Sequence, residues 1–314
     1  MKTRLLLALL CFVTLPIGLF AQLKQANEYY KTYGYAKAIP KYERIEEKTK
    51  HHKKEVAEKL ANSYRMTNNY ESAEEKYNKL VAMNNINPVN HLYYGEILKS
   101  NHKTNEAKEQ YTVYSQKVPK DDRAQKEMNS LIITRLWTVK PQTFVVYNAA
   151  ALNTEISDFC PVPFRDGLVF VSERRKDFVN DNTFGWTNKP YVSIYFSQIK
   201  NKDGLPFYKT PELISSKINT DFHNGPVSFN PAQNVMYFTR IDNVYDPKTK
   251  AKVNRPKIYF SKLEKEKWTE PQSFFLNCEN CSFMHPSVSA DGQYLFFSSD
   301  MPGGFGGKIG RAHV

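Results

Sequence analysis

Two cysteines three residues apart, Cys278 and Cys281 in NCENCSF, come nearest to chemistry in this chain. A C-x-x-C pair moves electrons when a helix N-terminus lowers one thiol's pKa, and holds zinc when a second ligand pair stands elsewhere. Neither companion is in the sequence, so the pair reads as a short loop disulfide or as two reduced thiols. Cys160 lies in a strand-like stretch and reads as a small buried apolar side chain. The loop KDFVNDNTFGW, residues 176–186, gathers Asp177, Asn180, Asp181 and Asn182. That set suits a hard cation, and it is equally the composition of a polar turn. His51, His52 and His285 have no partner at ligand spacing, and His285 reads as a hairpin cap. No G-x-S-x-G, P-loop, dinucleotide fingerprint, H-E-x-x-H or EF-hand loop is present. The expectation is a binding protein with no catalytic residue, no metal and no cofactor.

Charge and the N-terminus narrow the setting. The 314 residues carry 44 Lys and Arg against 32 Asp and Glu, a formal +12. The excess is interleaved with acids, which argues against a concentrated nucleic-acid patch and favours a solvated basic surface. Lys2 and Arg4 precede an apolar run from Leu5 to Phe20 and then Ala21-Gln22, the architecture of a secretory signal peptide. The run is short for a membrane span. Cleavage is expected after Ala21, without lipidation at Cys11 because Leu10 is too large for that processing. The mature chain is then exported, with no transmembrane segment and no nucleic-acid partner.

Residues 22–138 are expected to be a helical repeat domain. Ala38, Ala73 and Ala107 are each followed four residues on by Tyr42, Tyr77 and Tyr111. One helix earlier, Ala26, Ala61 and Gly95 repeat at the same interval. A period near 34, with small residues at the helix crossing and tyrosines beside them, is the tetratricopeptide (TPR) signature. The small residue lets two helices approach, and the tyrosine fills the gap over the next turn. Asp121 to Trp137 reads as a last helix. The first helix of each pair lines the concave face of such an array, which assigns Asn27, Tyr30, Lys31, Glu58, Asn62, Arg65, Glu96 and Lys99 to a protein-binding surface.

From Gln142 the texture becomes that of strands. Three hairpins recur at 157–174, 224–240 and 284–300, with Pro161, Pro226 and Pro286 aligned. Ile194-Tyr195-Phe196-Ser197 matches Ile258-Tyr259-Phe260-Ser261, and Pro211 matches Pro271. Four strands per unit is the content of a propeller blade. The third hairpin, with Pro286, Ser287, Ser289, Asp291, Gly292, Leu295, Phe297 and Ser298, resembles the WD40-like PD40 repeat of TolB-type β-propellers. The second hairpin departs from it, with no Asp-Gly in its turn. The fold class expected is thus α + β multidomain: a TPR solenoid, then an incomplete all-β propeller over residues 142–308, about two and a half blades.

Signal peptide, TPR array and PD40 propeller in that order resemble the OmpA-family periplasmic proteins of Bacteroidetes, including PorE-like components of type IX secretion. The resemblance implies a periplasmic, outer-membrane-associated scaffold. Its TPR and propeller would bind envelope proteins, and peptidoglycan would be bound only through an OmpA-like C-terminal domain that this sequence lacks. Residues 309–314, IGRAHV, do not continue the PD40 pattern; they back-translate into a widely used sequencing adapter and are expected to be read-through on a gene fragment. Two alternatives stay open: a fragment of an exported serine hydrolase gated by a propeller, as in prolyl oligopeptidases, and a glycan-binding propeller using rim aromatics such as Trp186. Trp268, in a strand match, reads instead as packed between blades.

Overall fold

The 34-residue interval is written into the backbone as well as the side chains. In the computed structural model, Tyr33, Asn68 and His102 all take left-handed φ values, of 61°, 59° and 63°. The residue after each returns its N–H to a carbonyl five positions back: Gly34 to Tyr29 at 2.7 Å, Asn69 to Tyr64 at 3.0 Å and Lys103 to Leu98 at 2.8 Å. This is the Schellman closure of a helix, made three times at the same step. The structure describes residues 19–48, 53–139, 145–174, 182–202, 205–246, 250–302 and 312–313. The leader up to residue 18, His51, His52, Asp177, Asn180, Asp181 and residues 309–311 lie outside them.

The chain divides into a helical unit, which ends at Val145 and also takes in Phe184–Asn188, and a β unit made of the rest. The helices are α1 (residues 19–31), α2 (Tyr35–Lys48), α3 (Lys53–Met66), α4 (Tyr70–Val81), α5 (Val89–Ser100), α6 (Thr104–Lys117) and α7 (Arg123–Val139). They form three antiparallel pairs, α1–α2, α3–α4 and α5–α6, followed by α7. Ala26, Ala61, Tyr42, Tyr77 and Tyr111 are fully buried in one core with Ala38, Ala73 and Ala107. Asn69 caps α4, its side-chain oxygen accepting the Ser72 N–H at 3.2 Å. A Cβ added to Gly95 would run into the ring of Tyr111, so the third pair packs ring on bare backbone.

Trp186 is part of this helical unit. Its indole stacks on Tyr33 (5.9 Å, 13°) and meets Tyr35 edge-on at 5.1 Å. The indole N–H donates to the Met66 carbonyl at 2.6 Å, and the Trp186 carbonyl accepts the Ala36 N–H at 3.3 Å. This corrects the reading of Trp186 as a β-rim aromatic. Stacking on Tyr33 also offsets the strain of holding a bulky residue in the left-handed region.

The β unit is antiparallel throughout and repeats its own pattern. The first sheet contains β1 (Asp158–Phe164), β2 (Gly167–Ser172), β3 (Ser193–Lys202), β4 (Leu205–Tyr208) and β5 (Glu212–Leu213). Strands β1, β2, β3 and β5 pair in series, and β4 folds back on the far half of β3. The second sheet copies it with β6 (Asn224–Phe229), β7 (Val235–Asp246), β8 (Ala251–Glu264), β9 (Lys267–Trp268) and β10 (Gln272–Ser273). A third sheet has β11 (Phe283–Val288), β12 (Leu295–Ser299) and β13 (Ala312–His313). The described sheets do not close into a barrel or a propeller ring. Successive sheets share apolar cores: Phe164, Val171 and Ile194 with Val227, Phe238 and Trp268, then Ile258 and Phe274 with Phe283 and Phe297. Trp268 is thus packed between sheets, 5.8 Å from Phe164, as its strand position led us to expect.

One device recurs in all three hairpins. Cys160, Gly225 and His285 each precede an aligned proline, each has a left-handed φ (51°, 100° and 57°), and each sits where its hairpin's register breaks. A bulge residue there leaves the in-and-out alternation of the strand. Cys160 is therefore an exposed free thiol, which corrects its expected burial. His285 is likewise a bulge residue inside a strand, its N–H donating to Thr239 Oγ1 at 3.0 Å, and not a hairpin cap. At the second bulge only glycine fits, because a Cβ on Gly225 would strike Val171.

The Gly95 contact gives a direct test of the helical packing. Gly95→Val forces a Cβ and its two methyl groups against Tyr111, and we predict a loss of about 1–3 kcal/mol in the helical transition. Thermal melting followed at 222 nm measures it; an unchanged midpoint would contradict the close packing.

Candidate protein-binding face of the helical unit

The first helices of the pairs, α1, α3 and α5, together with α7, present one continuous row of polar side chains. Helices here succeed one another at about 34 residues, but the side chains that touch differ by 28 to 32, because each reaches a neighbour about one turn earlier. Asn27 on α1 accepts from Lys59 Nζ at 2.9 Å and from Tyr42 Oη at 2.7 Å, and donates to Glu55 at 3.2 Å. Tyr30 Oη accepts from Asn62 Nδ2 at 2.6 Å, and Asn62 Oδ1 in turn accepts from Arg65 at 2.9 Å. Arg65 continues the row to Glu96 at 3.3 Å, with its guanidinium 3.9 Å above the Tyr93 ring. Glu58 accepts from Asn90 at 2.8 Å, and Lys99 reaches Glu127 at 2.7 Å and Ser130 at 2.9 Å on α7.

Seven of the eight side chains assigned from sequence therefore belong to this row. Lys31 does not: it is exposed and pairs within α1 with Glu28 at 3.4 Å. The row also contains Lys59, Asn90, Tyr93, Glu127 and Ser130, which the sequence reading missed. Their signal was present as a second interval. Adding 31 or 32 to Asn27, Glu58, Arg65 and Lys99 leads to Lys59, Asn90, Glu96 and Ser130.

Burial sets the electrostatics of the row. Desolvation raises the Glu96 carboxyl above the usual range, against the opposing pull of Arg65. Desolvation also raises Tyr30, although Asn62 favours its ionised form. These groups are half-buried, so each cross-helix ion pair contributes modestly to stability. Arg65 and Glu96 border a cavity of about 390 Å³ whose walls include Asn68, Tyr70, Ser100 and Trp186. The cavity offers a guanidinium, a carboxylate, a hydroxyl and an indole face within one opening.

In the β unit the C-x-x-C pair is committed to structure. Cys278 and Cys281 are joined by a disulfide. The carbonyls of Cys278, Glu279 and Cys281 all accept from the buried ammonium of Lys257, at 3.2 Å for Glu279 and 2.6 Å for Cys281. Burial pushes the Lys257 pKa down. Three carbonyls around one ammonium meet the requirement that a buried charge be fully hydrogen-bonded. Among the described residues no group of three or more His, Cys, Asp or Glu is placed to hold a metal, and no helix is long and apolar enough to cross a membrane.

His223 supplies a pH test of the β unit. Its Nδ1 accepts the Val192 N–H at 3.1 Å, and burial lowers its pKa below the ordinary 6.5. Between that lowered value and 6.5 the unfolded chain binds more protons than the folded one, so stability falls as pH drops below 6.5. We predict a lower calorimetric midpoint for the β transition at about pH 5.5 than at pH 7.5. His223→Gln should shrink that difference; a difference of the same size in the variant would place its origin elsewhere.

No protein-family model and no curated protein matches the chain. Among solved structures it is similar to the first TPR of Spaghetti (RPAP3) bound to the HSP90 peptide SRMEEVD, at 20% identity over 38% of this chain and 93% of that one, with a TM-score of 0.34. It is also similar to the first TPR domain of the human RPAP3 protein, at 19% identity over 40% of this chain and 97% of that one, TM-score 0.34. A third likeness is to the UNC-45 chaperone, at 14% identity over 37% of this chain and only 13% of that one, TM-score 0.34. Scores at this level do not establish a shared fold, and the helical repeat stands on its own period and turn geometry.

Proposed function

We propose that this chain is a non-enzymatic adaptor of the cell envelope whose helical unit binds a polypeptide along the face formed by α1, α3, α5 and α7. The observation that carries the reading is the cavity at Arg65 and Glu96. It opens on that polar row and combines donors, acceptors and an aromatic wall in a volume suited to one or two side chains. The sequential β sheets, with their PD40-like hairpins, form a second surface for envelope proteins. The leader directs export, which sets the chain in the periplasm. By the resemblance to OmpA-family proteins, attachment to peptidoglycan and to outer-membrane secretion assemblies would come through a C-terminal domain outside this sequence.

A photo-crosslinking side chain placed at Ser100, on the cavity wall, tests the reading against the same group at the exposed Lys108 of α6. Incubated with an envelope fraction, the Ser100 position should give a discrete adduct that falls at least tenfold on Arg65→Glu. Equal labelling from both positions would refute a specific face.

A further inference from the structure

The loop between the second and third sheets is closed by a bond that its counterpart between the first and second sheets does without. In both loops one asparagine clamps the strand before it: Asn219 holds the N–H and carbonyl of Ile194, and Asn277 those of Ile258. Counted from that asparagine, Cys278 and Cys281 stand where the first loop has Thr220 and His223. The first loop closes on side-chain hydrogen bonds, Asn224 Nδ2 donating to the carbonyls of Thr220 at 3.4 Å and Phe222 at 2.6 Å. The residue before the clamped isoleucine differs as well. In the first loop it is Ser193, whose buried hydroxyl has no hydrogen-bond partner among the described residues, and in the second it is Lys257. The fold therefore builds this loop without sulfur or buried charge, and its second copy adds both at one place. Cys281 is only 8% exposed, in one core with Ile258, Phe274, Phe283 and Phe297, whereas Cys278 is half-buried beside the exposed Glu279. An incoming thiolate therefore meets Cys278 first. The ammonium of Lys257 donates to the carbonyls of both cysteines, so a positive charge lies within one residue's span of either sulfur. A cation beside a thiol favours its thiolate, and a stabilised thiolate leaves faster in exchange.

We propose that the Cys278–Cys281 bond is a reducible latch on the third sheet, opened by a dithiol. One thiolate of the reagent attacks Cys278 Sγ, the S–S bond breaks, and Cys281 Sγ departs with the electron pair as a thiolate in the field of Lys257. The reagent's second thiolate then attacks the reagent's own sulfur in the mixed disulfide, releasing Cys278 as a thiolate and leaving a cyclic disulfide. Two electrons pass from the dithiol to the protein, whose two thiolates take up the protons that the reagent gives up. With the covalent closure gone, the three carbonyls are no longer held around Lys257, and Cys281 no longer pins the loop beside Phe283 at the start of β11.

The test uses the full chain with Cys11→Ser and Cys160→Ser, which leaves this pair as its sole cysteines. Reduced glutathione followed by rapid alkylation should trap a mixed disulfide, and peptide mass spectrometry should find it on Cys278. Under dithiothreitol, the disulfide of the folded Lys257→Met variant should open about three- to tenfold more slowly than that of the parent. A lysine that serves structure alone predicts the reverse, because a loop that has lost its buried ammonium exposes the bond and is reduced faster. Amide exchange should quicken about tenfold over Phe283–Ser299 on reduction and stay unchanged over Asp158–Ser172 of the first sheet. A glutathione adduct on Cys281 as often as on Cys278 overturns the proposal, as does exchange in the third sheet that is indifferent to reduction. Neither of these readings depends on the folding of Lys257→Met. A Lys257→Met disulfide opened as fast as the parent's, or faster, overturns it as well.

Discussion

The contact on which the helical unit depends is a tyrosine ring laid against a small residue at each helix crossing. At the third crossing the partner is Gly95, and the ring of Tyr111 occupies the space a Cβ would need. Close approach of paired helices fixes where the next first helix begins, and that spacing brings Asn27, Asn62, Arg65, Glu96 and Lys99 within reach of partners on the neighbouring helix. The polar row is therefore a consequence of apolar packing behind it. A side chain that widened one crossing would pull the ladder apart at distances of 2.6–3.3 Å, where hydrogen bonds weaken steeply.

The β unit uses a different constraint, a backbone one. A residue in the left-handed region just before each aligned proline bends the first strand of every hairpin, so that Pro161, Pro226 and Pro286 are positional markers of the bulge. A second internal repeat secures the outer strands. Asn219 donates to the Ile194 carbonyl at 3.1 Å and accepts its N–H at 2.8 Å; Asn277 does the same for Ile258, at 2.6 and 3.2 Å. The hydroxyls of Ser197 and Ser261 donate to the carbonyls of Lys209 and Thr269 at 2.5 and 2.8 Å. The first two sheets thus satisfy their outer strands with the same side chains, which makes the sheet, and not a closed ring, the repeating unit observed among the described residues.

What was legible in the sequence was whatever recurred in the same local setting at a similar interval. The tyrosines and small residues of the helices, the three prolines and the paired Ile-Tyr-Phe-Ser runs all recur among the same neighbours, and the structure sets each at an equivalent place. Interactions whose members keep no shared interval were not legible. Asn219 and Asn277 escaped notice because one lies eight residues after its proline and the other six. Trp186 belongs to the helical unit although strands flank it in sequence, and no local pattern announces a partner 120 residues away. Cys160 reads as buried because it is a small apolar residue in a strand-like stretch, and only the bulge before Pro161 exposes it.

The polar row also limits how a partner can use it. Asn27, Arg65, Glu96 and Lys99 are already engaged across the helices, so a ligand that merely replaced those bonds would gain little over the free protein. Net affinity has to come from groups with unspent capacity and from apolar area. Around Arg65 both are found: a half-buried carboxylate whose pKa burial has raised, a guanidinium stacked on Tyr93, and the indole wall of Trp186. A partner that presents one polar group to this pair and one apolar side chain to the indole would satisfy the site without breaking the ladder. On the proposed reading, a partner without the polar group would strip water from Arg65 and Glu96 with no hydrogen bond in return, and that desolvation cost, more than any single attraction, is what would give the face its selectivity.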